Sequence, residues 1–161
     1  MNYEESVDNK RLMDNEFLKP KRVVIEIIEG LPSAIICDID GTLALLNGRN
    51  PYDASSCEND ELNTVVASLL KGKTVLLVSG REDKYKEQTE KFLSKHHIEY
   101  SNLWMRATGD FRKDAIIKAE IFDSKIRGKF NIEFVLDDRN QVVKMWRNMG
   151  LTCLQVADGD F

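Results

Sequence analysis

A three-layer α/β fold around a mostly parallel central sheet is what this sequence predicts, on two observations. Its strand candidates, such as Ala34-Ile35-Ile36-Cys37 and Val75-Leu76-Leu77-Val78, are continuously apolar and do not alternate. They also take turns along the chain with stretches of helical character. Strands that are apolar on both faces need helices over both faces, and parallel strands joined through helices supply that cover. With 161 residues, 42% of them hydrophobic, the chain can fill the core of one such domain.

The elements follow in order. Residues 1–22 are polar and irregular apart from Leu12, Met13, Phe17 and Leu18, which suit a short amphipathic helix. "VVIEII" (23–28) reads as a strand, "EGLP" (29–32) as a turn and "SAIICD" (33–38) as a fully buried strand. Leu62, Val65, Val66, Leu69 and Leu70 recur at helical spacing, predicting a helix over 59–71 that Gly72 stops. "KTVLLVSG" (73–80) is a strand closing in Ser-Gly, followed by a charged helix over 83–96 and a short strand near 103–106. A helix over 111–123, the strand "IEFVLDD" (132–138), a helix over 139–150 and the strand "LTCLQVA" (151–157) complete the chain. Only a short flap fits between Leu43 and Cys57, with no room for a large cap domain.

Bulk chemistry narrows the function. A net charge of −4 excludes a broad basic face for duplex nucleic acid but leaves room for a local basic pocket. The N-terminus has no signal-like apolar core and no run nears membrane-spanning length, so a cytoplasmic protein with no membrane partner is expected. Cys37, Cys57 and Cys153 form no CxxC pair, zinc spacing or Cys-x5-Arg motif. Cys37 and Cys153 sit in strand-like runs and read as buried thiols. His96 and His97 read as surface or helix-end residues, and Trp104 and Trp146 as core.

In parallel sheets, ligands gather beyond the carboxyl ends of the strands. Three strand candidates end there in polar groups: Asp38 and Asp40, Ser79, and Asp137 with Asp138. Acids cannot be buried at such a rim without a metal, a base or a substrate to answer their charge. The Asp38 carboxylate suits nucleophilic attack on phosphorus to give an aspartyl-phosphate. Anion attacking anion needs a bridging cation, and Mg2+ fits Asp38 and Asp138, with the backbone carbonyl of Asp40 a third ligand. Asp40 suits the acid-base that protonates the leaving alkoxide and then activates water. Gly41 permits the tight turn and the Thr42 hydroxyl holds the loop. A calcium loop would continue with oxygen ligands, whereas Leu43, Ala44, Leu45 and Leu46 follow. Ser79 and the amides near Gly80 suit phosphoryl oxygens. Lys113 and Lys118 are the candidate cations, and Lys118 lies one turn beyond Asp114, placed to pair with it.

The order DxDGT, strand-terminal Ser, Lys, then an acidic pair resembles the haloacid dehalogenase (HAD) phosphatase superfamily. More narrowly, the chain is similar to the 3'-phosphatase domain of T-even phage polynucleotide kinase-phosphatase. The likeness rests on DIDGTLA with NGRNPYD (38–53), VSGRE (78–82), GDFRKD with Lys118, LDDRNQVVKMWR (136–147) and QVADGDF (155–161). DxDGT marks only the superfamily; NGRxPYD and DDRxQVVxMWR are far narrower. The resemblance implies a Rossmann-like HAD domain over 23–161. It implies Mg2+-dependent hydrolysis of 3'-phosphorylated DNA or RNA ends, extending to 2',3'-cyclic ends, in nucleic acid repair alongside a separate kinase or ligase. It assigns Asp38 as nucleophile, Asp40 as acid-base, Ser79 and Lys118 as the phosphate-binding pair, and Asp138 with Asp137 as metal carboxylates. Arg49, Arg81 and Asp114 match further positions the family needs.

Two departures stand out: there is no G-x-x-x-x-G-K-[ST] kinase motif, and the stretch between Arg81 and Gly109 is shorter than in the phage relative. An open top suits a polymer end, with Thr42, Arg49, Gly80, Arg81, Arg112 and Lys113 expected along the substrate path. The rival readings are a small-molecule HAD phosphatase for nucleotides or sugar phosphates and a receiver-like regulatory domain. A receiver carries its acceptor Asp after the third strand, where this chain has Ser79.

Overall fold

The structure, a computed structural model, describes residues 22–160. The helix expected around Leu12 to Leu18, and Phe161 of the terminal motif, lie outside the described residues. The strands are β1 (Ser33–Cys37), β2 (Ala44–Leu45), β3 (Glu61–Leu62), β4 (Val75–Glu82), β5 (Asn102–Arg106), β6 (Asn131–Asp137) and β7 (Cys153–Gln155). The α-helices are α1 (Thr64–Leu70), α2 (Lys86–Lys95), α3 (Asp114–Ile121) and α4 (Asn140–Asn148).

Five strands form one sheet in the order β5-β4-β1-β6-β7, and every neighbouring pair is parallel. Successive residues of β1 point to opposite faces. Ala34 and Ile36 join a core with Val142, Val143 and Trp146 of α4 and with Phe122 and Ile126 of the π-helical turn after α3. Ile35 and Cys37 join a second core with Val66 and Leu70 of α1 and Phe92 and Leu93 of α2. Helices thus cover both faces, which is why Ala34, Ile35, Ile36 and Cys37 of β1 and Val75, Leu76, Leu77 and Val78 of β4 are all apolar. No helix among the described residues is long and apolar enough to cross a membrane.

The flap is small. β2 and β3 pair antiparallel as a two-residue ladder at its base, joining Ala44 to Leu62 and Leu45 to Glu61. That pairing also corrects the expected helix start at 59. Glu61 and Leu62 are drawn into the ladder, and Asn63 then caps α1 by accepting from the Val66 N–H.

Residues 23–28 do not form the expected strand. The Ile25 N–H donates to the Gly150 carbonyl, and the Ile28 N–H goes to the side chain of Asn131. Ile25 packs on the core while Val23, Val24, Ile27 and Ile28 are exposed. High strand propensity without a partner ladder leaves an irregular strap. β4 departs in the other direction: it runs past Gly80 to Glu82, with a register shift against β5 between Ser79 and Glu82. Such an irregularity re-aims the side chains beside it, here those of Ser79 and Arg81.

Candidate active site

The carboxyl ends of β1, β4, β5 and β6 open onto one cleft of about 380 Å³, and Asp38, Asp40, Gly80, Arg81, Arg106, Asp114, Lys118 and Asp138 are among its lining residues. Three carboxylate–cation groups organise it.

The deepest group is built on Lys118. Its ammonium lies 2.7 Å from Asp38 Oδ1 and 2.8 Å from Asp137 Oδ2, and its side chain is 2% exposed. The expected direct ion pair of Lys118 with Asp114 does not form; the two act on each other only through their charges. α3 packs its last turn against the sheet, which aims Lys118 at the ends of β1 and β6 while Asp114, at its start, faces other partners. Burial works against the Lys118 charge, but Asp137, Asp38 and Asp114 outweigh it and hold the amine well above its ordinary range. Burial pushes the Asp38 carboxyl well up; Lys118 opposes that shift, and the charges of Asp137 and Asp138 add to it. Asp138 is raised by burial and by Asp137. The indole N–H of Trp146 donates to Asp137 Oδ2 at 3.2 Å, so this core tryptophan also anchors the site. Thr42, fully buried, donates its hydroxyl to Asp138 Oδ1 at 3.2 Å. Expected along the substrate path, Thr42 in this structure holds the Asp138 carboxylate.

The second group surrounds Asp40. Arg49 Nη2 and Arg81 Nη2 donate to its Oδ1 at 2.8 and 2.7 Å, and Arg81 Nε donates to Oδ2 at 2.9 Å. The same guanidinium groups reach buried Asp60: Arg49 through Nε and Nη2 at 3.0 and 2.8 Å, Arg81 through Nη2 at 3.0 Å. Arg81 adds a bond to the Thr89 hydroxyl. Both arginines were expected along the substrate path. In the structure their planar donor forks meet two carboxylates, buried Asp60 and partly exposed Asp40, and Arg81 also lines the cleft.

The third group fixes Asp114 at the start of α3. Arg139 Nη1 donates to its Oδ2 at 2.6 Å and Arg106 Nη2 to its Oδ1. Burial alone would raise this carboxyl, but Lys118, Arg139 and Arg106 together hold it below its ordinary range. Arg106 also donates to the carbonyls of Gly80, Asp110 and Arg112, lacing β4 to the loop before α3. Gly80 leaves just the space this needs: a Cβ there would meet the Asp114 carboxylate at 2.5 Å.

The remaining predicted residues are placed as follows. Ser79 is buried and its hydroxyl accepts from the Arg81 N–H. Arg112 lines the rim with its guanidinium on Asp110 and Glu120. Lys113 is exposed beside it. Sequence reasoning missed Asp60, Arg106 and Arg139. Asp60 lies in a loop without pattern and gave no signal. Arg106 gave one, since it closes an apolar strand as Asp38 does.

The side chains of Asp38, Asp137 and Asp138 each offer an oxygen within 4.8 Å of the others. One ammonium against three converging carboxylates leaves negative charge over, and hard oxygens in that excess fit a hard divalent cation.

A family profile described as the polynucleotide kinase PNKP phosphatase domain matches residues 32–161. A putative bifunctional polynucleotide kinase/RNA ligase of Autographa californica nuclear polyhedrosis virus is 32% identical over 133 residues, covering 78% of this chain and 19% of that protein. Two solved chains from Pnkp1/Rnl/Hen1 complexes, the first described as an RNA repair complex, are 53% identical over 89% of this chain, with TM-scores of 0.85 and 0.84. The chain spans 48% and 53% of those two. On the profile match, the sheet and the rim together, the chain belongs to the PNKP phosphatase-domain family of HAD-type phosphatases.

Proposed function

We propose that the chain is a Mg2+-dependent polynucleotide 3'-phosphatase that removes terminal phosphate from RNA or DNA ends, including ends opened from 2',3'-cyclic phosphate, in nucleic acid end repair alongside a separate kinase or ligase. The observation that carries it is one cleft holding a lysine-bound aspartate, Asp38, two residues before a second aspartate gripped by two arginines.

In the first step an Asp38 oxygen attacks phosphorus, and the bond from phosphorus to the 3' oxygen breaks. The departing oxygen takes a proton from Asp40, leaving a free hydroxyl end and a phosphoryl group on Asp38. In the second step water attacks that phosphoryl group, Asp40 takes the water's proton, and inorganic phosphate leaves as Asp38 is restored. Arg49 and Arg81 hold Asp40 in place; its Oδ1 accepts from both, whereas Oδ2 accepts from Arg81 Nε, which leaves Oδ2 the better oxygen to carry the proton. Lys118 keeps Asp38 aimed along β1 and offsets charge as phosphate approaches. Asp38, Asp138 and the Asp40 carbonyl would hold Mg2+, which when bound screens the repulsion between the nucleophile and the phosphoryl oxygens.

Phosphate release is to be measured on oligonucleotides phosphorylated at the 3' or the 5' end, beside a sugar phosphate, with and without chelator. Release from 3' ends that needs Mg2+ is expected. A preference for 5' ends or for the sugar phosphate would defeat the reading.

A further inference from the structure

The cleft's rim holds an aromatic residue that the catalytic groups leave unused. Phe111 is 89% exposed although it lines the cleft. Its backbone is nonetheless tightly braced. Arg106 donates to the carbonyls on either side of it, those of Asp110 and Arg112. The Arg112 N–H closes a turn onto the Asp110 side chain, and the Arg112 guanidinium pairs with Asp110 and Glu120. On the near end of the same loop, the Gly109 N–H donates to Glu82 and Thr108 bonds to Asp83. This bonded loop carries a flat, exposed apolar ring at the rim of a cleft lined by charged groups.

Pro51 and Tyr52 of the flap line the same cleft, and Tyr52 is 75% exposed. The exposed ammonium of Lys113 lies two residues from the ring, with no acidic partner among the described residues. A phosphomonoester whose other end is flat and aromatic, and which continues into a further anion, complements all three features. A single-stranded polynucleotide end has that chemistry, and a sugar phosphate lacks the aromatic part.

We infer that Phe111 is the stacking platform for the terminal nucleobase, with Lys113 receiving the next phosphodiester. This rests on the 3'-phosphatase reading and adds a base subsite to it. Stacking tolerates any base, so the subsite selects for polynucleotide ends without selecting for sequence.

The test compares two 3'-phosphorylated oligonucleotides, one ending in an ordinary nucleotide and one whose terminal residue is abasic. The wild-type chain is expected to show a KM about ten- to hundredfold lower for the end that carries a base. Phe111→Ala should erase that preference and Phe111→Trp should keep it. With Asp38→Asn blocking turnover, a terminal 2-aminopurine should be quenched on binding, and the added Phe111→Ala should remove the quench. An unchanged preference in Phe111→Ala, or equal KM values in the wild type, overturns the base subsite while leaving the phosphatase reading standing. Failure of the wild type to release phosphate from either oligonucleotide overturns both.

Discussion

Arg81 is the residue whose role the structure changes most. A guanidinium that gripped substrate phosphate would lower affinity when removed and spare the chemistry. This one is buried on Asp40 and Asp60, so Arg81→Ala should resemble loss of Asp40 itself. Both Arg81→Ala and Asp40→Asn are expected to lower kcat on a 3'-phosphorylated oligonucleotide about a hundredfold or more. Both should be partly relieved on a nitrophenyl ester, whose leaving group needs no proton. Differing loss ratios between the two variants would separate Arg81 from the acid-base. The deletion should also destabilise the fold by about 3–5 kcal/mol, since it leaves two carboxylates short of a partner.

Asp138 links the fold's stability to pH. Its carboxyl is raised by burial and by Asp137, so the folded protein holds that proton more tightly than the unfolded chain does. Below the ordinary carboxylate range both states are protonated and nothing is lost. As pH rises through the folded value, ionisation opposes folding. Asp138→Asn should therefore melt higher than wild type at neutral pH in chelator, and the gain should fade in acid. Melting curves across pH check this, and a lower melting point for the variant at neutral pH would refute it.

At the scale of elements, the junction of β4 with α3 is the tightest fit. Gly80 sits against Asp114, which Arg139 and Arg106 already pin. Gly80→Ala must push that carboxylate aside, and overpacking of this kind costs about 1–3 kcal/mol. Most activity should go with it, measured as kcat beside thermal melting; a fully active Gly80→Ala enzyme would show that Asp114 need not stay where it is. The same junction marks how far a sequence can be read. The central strands were legible because burial on both faces removes their polar residues. So was the rim, because Asp38, Ser79 and Asp138 interrupt apolar runs. β2, β3 and the late start of α1 were not, because two-residue ladders leave no periodicity to detect. The strap at 23–28 misled for the opposite reason: its composition favours a strand, and only the fold decides whether an edge is offered to it.

For the molecule as a whole, the three carboxylate–cation groups were partly visible beforehand. Asp38, Asp40, Asp114, Lys118 and Asp138 could be named from motif order and resemblance, but their pairing could not. Which cation meets which acid depends on how α3 and the flap dock, and Asp60, in the turn just before β3, belongs to no motif that would mark it. The scaffold is also economical in where it spends charge. Among the described residues the buried cations, Arg81 and Lys118, answer acids of the site itself, while Lys113, proposed to meet the polymer, stands outside in water. Ionic strength should consequently act on this protein as two separate dials. Counterions screen an exposed lysine meeting a phosphodiester far more than they screen a guanidinium sealed between Asp40 and Asp60. On the proposed 3'-phosphatase reading, rising salt is expected to raise KM for a nucleic acid end while leaving kcat nearly unchanged.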